Sequence, residues 1–223
     1  MGEPHDVSAR IGNNEPVTQP ESKKFFDWLA YATRERLRHS CNLNFKAAAA
    51  PGAPVPKLDI RNDPLHGHCS FTQNIASYAL SDRDIPSKQF SAQSLPGYTV
   101  GHATLSVTVQ ERDGPATYIV DPTYRQFCDP KTPTYEGKPM PGFVLKDMEG
   151  GPAIIKSLMT DGYIKATPDI AQKYLASFTG GVSTFESPKD AMSFLKNPPY
   201  DGGRNFFSRN SMQRNEALIA KQA

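Results

Sequence analysis

The stretch from Cys69 to Leu80, CSFTQNIASYAL, decides how this chain is read. Phe71, Ile75, Tyr78 and Ala79 stand at i, i+4, i+7 and i+8, so the segment predicts a helix whose first turn holds the cysteine. Asn62-Asp63-Pro64 and Gly67, just ahead of it, are loop chemistry. A helix N-terminus carries roughly half a positive charge from its aligned peptide dipoles, which favours thiolate over thiol.

Downstream, Tyr98 to Gln110 and Ala116 to Val120 are rich in Val, Thr and Tyr and flank Glu111-Arg112-Asp113-Gly114-Pro115, a β-hairpin signal. His102 opens the first arm and Asp121 closes the second. Cys69, His102 and Asp121 therefore follow one another at separations of 33 and 19 residues, in an order that suits nucleophilic cysteine chemistry. In such chemistry the thiolate attacks a carbonyl and the imidazole carries the proton to the leaving group. The carboxylate fixes the tautomer of the ring and stabilises its charged form. Backbone N–H groups at the same helix start can face the developing oxyanion. The hairpin imposes a condition: because side chains alternate between faces, Asp121 joins His102 only if it opposes Thr104 or Ser106. A slip of one residue turns the carboxylate away unless a bulge corrects it.

Singly, these residues say little. A lone cysteine is usually a small buried hydrophobe, and Asp-Pro commonly starts a turn. It is the conjunction of a cysteine at a helix start, Gly-His at a strand start and Asp-Pro at a strand end that points to an enzyme. Cys41, at the end of an earlier helix, and Cys128, after the second arm, read as structural or incidental. His66, His68 and Cys69 are zinc-type ligands, but adjacent residues seldom ligate one tetrahedral ion and no second Cys/His pair stands at the customary spacing. No metal and no cofactor is expected, and His68 reads as a local electrostatic influence on Cys69 or as a loop residue.

The 223 residues suit one domain with tails. The 20 prolines are nearly double the usual share of roughly 5%, which disfavours a helical bundle. Twenty-five Lys and Arg against 23 Asp and Glu leave a net charge of +2, too small a field to argue for nucleic acid or an anionic membrane. No apolar run is long enough for a membrane span, and the polar start, with Glu3, Asp6 and Glu15, is no Sec signal. Three widely spaced cysteines fit reduced thiols better than a disulfide framework.

Along the chain, residues 1–21 read as a disordered leader or a segment recognised by export machinery. Residues 22–56 read as an amphipathic helix capped by Ser22, with Phe25, Trp28, Leu29, Ala32 and Leu37 facing a core, followed by a Pro/Ala-rich linker. Residues 57–196 form the main domain, and 197–223 a polar C-terminal tail. Within the domain, residues 128–151 read as an irregular surface excursion, with 138–151 mobile and lining or covering the cleft. Helices are expected over Ala153 to Asp161, Pro168 to Phe178 and Pro188 to Leu195, the last capped by Ser187.

Four segments, HGHCSFTQNIASYAL, GHATLSVTV, YIVDPTYRQF and DGYIKATPDIAQKYLASF, resemble in order and character the papain-like Cys-His-Asp domains of bacterial toxins and effectors that deamidate glutamine in host proteins, the group that includes the Pasteurella multocida toxin. The resemblance spans roughly residues 60 to 180 and is most specific at Asp121-Pro122-Thr123 and Gln126-Phe127. It implies an α+β, papain-like or transglutaminase-like fold, with N-terminal helices and the catalytic cysteine at a helix start packed on an antiparallel sheet. It further implies Cys69 as nucleophile, His102 as base and acid, Asp121 as orienting acid, and Gln126 as a residue that assists the oxyanion or shapes the pocket. A secreted effector of type III or type VI export is the implied setting, with a glutamine-bearing target protein as partner and a chaperone or immunity protein as a further one. The segments before residue 50 and after about 180 have no counterpart in the family. A thioester formed by Cys69 can pass to water, giving deamidation, or to an amine, giving transglutamination. The same triad on a backbone amide gives proteolysis, and peptidoglycan amidase activity and a non-catalytic binding module are the further alternatives.

Overall fold

The protein is described by a computed structural model covering residues 2–40 and 67–198. The expected linker, Cys41, His66 and nearly all of the expected tail lie outside the described residues.

The fold is α+β. Two helices, α1 (His5–Gly12) and α2 (Gln19–Ser40), come first, followed by α3 (Cys69–Ser81) and the strand β1 (Ser87–Ser91). The hairpin β2 (Ala103–Glu111) and β3 (Gly114–Val120) comes next, then a 3-10 turn over Tyr124–Cys128 and a two-stranded ribbon of β4 (Thr134–Tyr135) and β5 (Lys138–Pro139). The chain continues through α4 (Pro141–Asp147), α5 (Gly151–Thr160), β6 (Tyr163–Ala166), α6 (Pro168–Ser177) and α7 (Pro188–Lys196). Four strands make one antiparallel sheet in the order β1-β2-β3-β6.

The period-2 alternation of the hairpin divides the core in two. Leu105, Val107, Val109, Tyr118 and Val120 pack under α1, α2 and α3. On the opposite face Ile119 joins residues of α4 to α7, and the small polar side chains of β2 meet backbone: Thr104 donates to Val120 O (2.8 Å) and Ser106 to Leu195 O (2.5 Å). The hairpin register pairs Leu105 with Val120 through Glu111 with Gly114, so Asp121, one step further, falls opposite Thr104.

The first 21 residues are not a disordered leader. α1 buries Val7, Ser8 and Ile11, and Glu3 pairs with Arg83 at the end of α3 (2.5 Å), whose guanidinium in turn covers Trp28. Val17 is fully buried and bridges the tip of the hairpin, donating its N–H to Gln110 O and accepting from Arg112 N–H. Polar composition hid this because only three apolar side chains anchor the strap. The second helix begins three residues before Ser22. Thr18 and Glu21 form a reciprocal capping box, Glu21 Oε2 accepting from Thr18 N–H and Glu21 N–H donating to Thr18 Oγ1, and Ser22 is a buried residue of the first turn. Residues 2–40 thus share the core of the main domain, so the boundary expected at residue 56 does not divide two separate cores.

The 138–151 segment is likewise ordered and packed. Met140 and Leu145 are buried, Pro141 starts α4, and the glycines serve close approach: a Cβ at Gly151 would overlap the Leu145 carbonyl, and one at Gly142 the Phe127 carbonyl. Glycine there reflects tight packing, which composition alone cannot tell from flexibility. The three later helices fall within two residues of their expected limits, and Ser187 accepts from Asp190 N–H as its cap.

Three buried apolar side chains at about 1.5–3 kcal/mol each make the N-terminal strap a substantial part of the fold. A chain lacking residues 1–17 is expected to melt at least about 10 °C lower in a calorimetric or fluorescence scan. An unchanged Tm would mean that the strap is dispensable.

Candidate active site

Three elements converge at one end of the sheet. α3 begins at Cys69, with His68 as its N-cap residue, and the His68 carbonyl accepts from both the N–H (2.9 Å) and the hydroxyl (2.8 Å) of Thr72. His68 thus contributes a backbone cap and a half-buried ring, and its side chain makes no capping hydrogen bond. His102 immediately precedes β2, and its carbonyl accepts from Ala92 N–H (2.7 Å) just past β1. Asp121 follows β3, and its N–H donates to Gly162 O (2.8 Å), so the turn before β6 fixes it from behind.

The His102 and Asp121 side chains are wholly buried, and Nε2 donates to Asp121 Oδ2 at 2.7 Å. A carboxylate oxygen only accepts, so the proton of this bond belongs to Nε2. Nδ1 is left to the other side, where Cys69 stands. The imidazole is boxed by Phe178, stacked at 5.3 Å with a 17° tilt, and by Phe127, edge-on at 4.8 Å. Asp121 is held by two further donors: Tyr174 hydroxyl to Oδ2 (2.7 Å) and Thr123 hydroxyl to Oδ1 (3.1 Å).

Burial opposes the thiolate of Cys69, but hydrogen bonding and charge from His102, aided by Ala103 N–H, outweigh it and bring the thiol down to about 7. Burial also opposes the imidazolium, and the Asp121 charge and hydrogen bond, together with Cys69, hold the ring well above the ordinary histidine range. The two shifts describe one thiolate–imidazolium pair titrating jointly. Among the described residues Nδ1 has no fully formed hydrogen bond, so the pair interacts while short of tight contact. Cys128 makes the contrast: burial first, and the Asp121 charge second, push its thiol up to about 12.

Gln126 sits on the 3-10 turn with its Oε1 accepting from Gly67 N–H (3.1 Å), which ties it to the loop two residues ahead of Cys69. Its Nε2 is buried with no hydrogen-bond partner among the described residues. The structure therefore brings Cys69, His102, Asp121 and Gln126 together, with His68 at the rim. Two open cavities, of about 470 Å³ beside Tyr118 and Tyr163 and about 350 Å³ beside Cys128, lie away from Cys69. Among the described residues no cluster of three or more His, Cys, Asp or Glu is placed to hold a metal ion.

The sequence reading missed four supports. Tyr174 on α6 and Phe178, the residue that caps its C-terminus, stand at i, i+4, a spacing that identifies a core position and says nothing of a hydroxyl reaching a carboxylate. Gln73, one turn into α3, donates through Nε2 to Phe90 O (3.1 Å) and to Thr104 O, tying the cysteine helix to β1 and β2. Thr123 was visible only as part of Asp-Pro-Thr.

A thiolate is the reactive form and exists above its pKa. Alkylation of Cys69 by iodoacetamide, followed by peptide mass mapping, is therefore expected to rise through a midpoint near 7, about 1.5 units below an ordinary thiol. His102→Ala is expected to move that midpoint up to the ordinary range of about 8.5 or higher, because burial remains and the cation is gone.

No protein-family model, no curated protein and no solved structure matches this chain, so the geometry above, with the motif resemblance, carries the functional reading.

Proposed function

We propose that this protein is a cysteine hydrolase that deamidates a glutamine side chain of a target protein, on a papain-like arrangement of Cys69, His102 and Asp121. The observation that carries the reading is the enclosed His102: one nitrogen committed to a carboxylate, the other directed at a thiol whose proton affinity is depressed. The motif resemblance directs the chemistry to a carboxamide.

In the proposed reaction the Cys69 sulfur attacks the glutamine Cδ, forming a C–S bond while the carbonyl electron pair moves to oxygen. The N–H groups of Cys69 and Ser70 precede the first bond of α3, from Thr72 to His68, and suit that oxyanion. Gln126 Nε2, on a side chain tied to the loop ahead of Cys69 through Gly67 N–H, is the side-chain donor this reading assigns to the same oxyanion. His102 Nδ1 gives its proton to the departing nitrogen, the C–N bond breaks, and ammonia leaves a γ-glutamyl thioester. Water then gives a proton to Nδ1 and attacks the thioester. The C–S bond breaks, releasing glutamate and restoring the thiolate–imidazolium pair. The phenyl walls of Phe127 and Phe178 keep bulk water from the ring, which strengthens the pull of Asp121 on it. The resemblance to bacterial effectors supports export by a type III or type VI route and action in another cell, with the target protein as the chief partner.

Intact-mass comparison of target proteins incubated with wild type and Cys69→Ser tests the reaction class. A gain of about one dalton, absent with Cys69→Ser, is expected; a joined amine would identify transfer and fragments proteolysis. Gln126→Glu keeps an acceptor for Gly67 N–H and removes the amide donor, so kcat is expected to fall about 10²–10³-fold with little change in Tm. An unchanged kcat would remove Gln126 from the oxyanion site.

A further inference from the structure

Asp121 Oδ2 is shared. It accepts from His102 Nε2 and from the Tyr174 hydroxyl at the same distance, 2.7 Å, and both donors are buried. Orientation does not require this second donor. Thr123 already engages Oδ1, the Asp121 N–H is bonded to Gly162 O, and the aromatic box fixes the ring. A phenol placed on an oxygen that already serves the imidazole changes the strength of that oxygen as an acceptor.

We propose that Tyr174 is a tuning residue of the triad: by donating to the oxygen that holds His102, it weakens the carboxylate's hold on the imidazolium and keeps Nδ1 acidic enough to protonate the leaving nitrogen. The inference rests on the Cys69–His102–Asp121 reading and adds a role for α6 to it. A carboxylate that receives two strong hydrogen bonds on one oxygen is a weaker base than one that receives a single bond. The imidazolium beside it then releases its proton more readily. A general acid works best with a proton affinity near the operating pH, and a ring locked to an undiluted buried carboxylate would lie too far above it. Burial and the Asp121 charge both hold the Tyr174 proton in place, so the phenol remains a donor over the whole working range.

The surroundings leave few other groups to do this. The titratable side chains that bear on the pair are Cys69 from α3, Tyr174 from α6, and Tyr124 and Cys128 from the 3-10 turn. Tyr124 directs its hydroxyl to Ser177 (3.1 Å), and Cys128 and Asp121 act on each other through charge without a hydrogen bond. Thr104, near the Tyr174 hydroxyl, donates to Val120 O. α6 thereby supplies both a wall of the imidazole box, through Phe178, and the regulator of its carboxylate.

Tyr174→Phe removes one oxygen and keeps the ring, and the Cys69 titration can be read without any substrate. In the full chain, the pH dependence of iodoacetamide alkylation at Cys69 is expected to shift to lower pH by about half a unit or more in Tyr174→Phe, because a stronger carboxylate stabilises the imidazolium that stabilises the thiolate. Turnover by the same variant is expected to drop at least about tenfold at neutral pH in kcat, with KM unchanged. A titration midpoint unchanged from wild type, or moved upward, would overturn the inference, whatever the effect on Tm. A wild-type midpoint at or above 8.5 would instead overturn the triad itself, which separates the two failures. If Tyr174→Phe is poorly folded, Thr123→Val is the companion: it strips a donor from the other oxygen of the same carboxylate, so the inference requires an acid shift of the Cys69 midpoint there as well, and an unchanged or raised midpoint overturns it.

Discussion

The hydrogen bond between His102 Nε2 and Asp121 Oδ2 is the constraint on which the rest of the arrangement depends. Both side chains are removed from water, and a buried charge is tolerated only when it is paired and hydrogen-bonded. Asp121 therefore depends on its imidazole partner, and its position dictates which face of the hairpin must carry the histidine. Every neighbouring element is arranged around that pair: β2 and β3 set the register, the turn before β6 fixes the aspartate backbone, and α6 and the 3-10 turn close the box. The Cys69 thiol is the one member of the three that is not fully buried.

The pairing also explains the contrast between the two described cysteines. Both are half-buried, and desolvation raises both thiols. Cys69 has an imidazolium and a helix start beside it, and its proton affinity falls. Cys128 has only the negative Asp121 nearby, and its affinity rises. The same carboxylate thus lowers the proton affinity of one thiol through histidine and raises that of the other by its charge.

What the sequence revealed followed from local rules. The helix from Cys69 was legible from its apolar spacing, and the hairpin from its β-branched arms and Asp-Gly turn; the register condition on Asp121 could be stated but not decided. The structure places Asp121 opposite Thr104, one of the two permitted positions. Long-range contacts were invisible. Tyr174 reads as an ordinary core aromatic, and β1 and β6 are too short to announce themselves, with Phe90 the only fully enclosed side chain of β1. The N-terminal strap failed for the opposite reason, since a polar segment anchored by Val7, Ile11 and Val17 has too few apolar residues to show periodicity. The capping box Thr18-Gln19-Pro20-Glu21 was a readable signal that the serine at 22 obscured. Glycine misled over residues 138–151, where it permits backbones to touch.

The central claim is that His102 carries two protons while Cys69 carries none, and nitrogen-15 NMR of the histidine side chains reads this directly. At pH 8 both His102 nitrogens are expected to show protonated shifts, and the ring is expected to become neutral once Cys69 is alkylated. A His102 that is already neutral at pH 8 in the untreated protein, titrating near the ordinary value of about 6.5, would contradict the account.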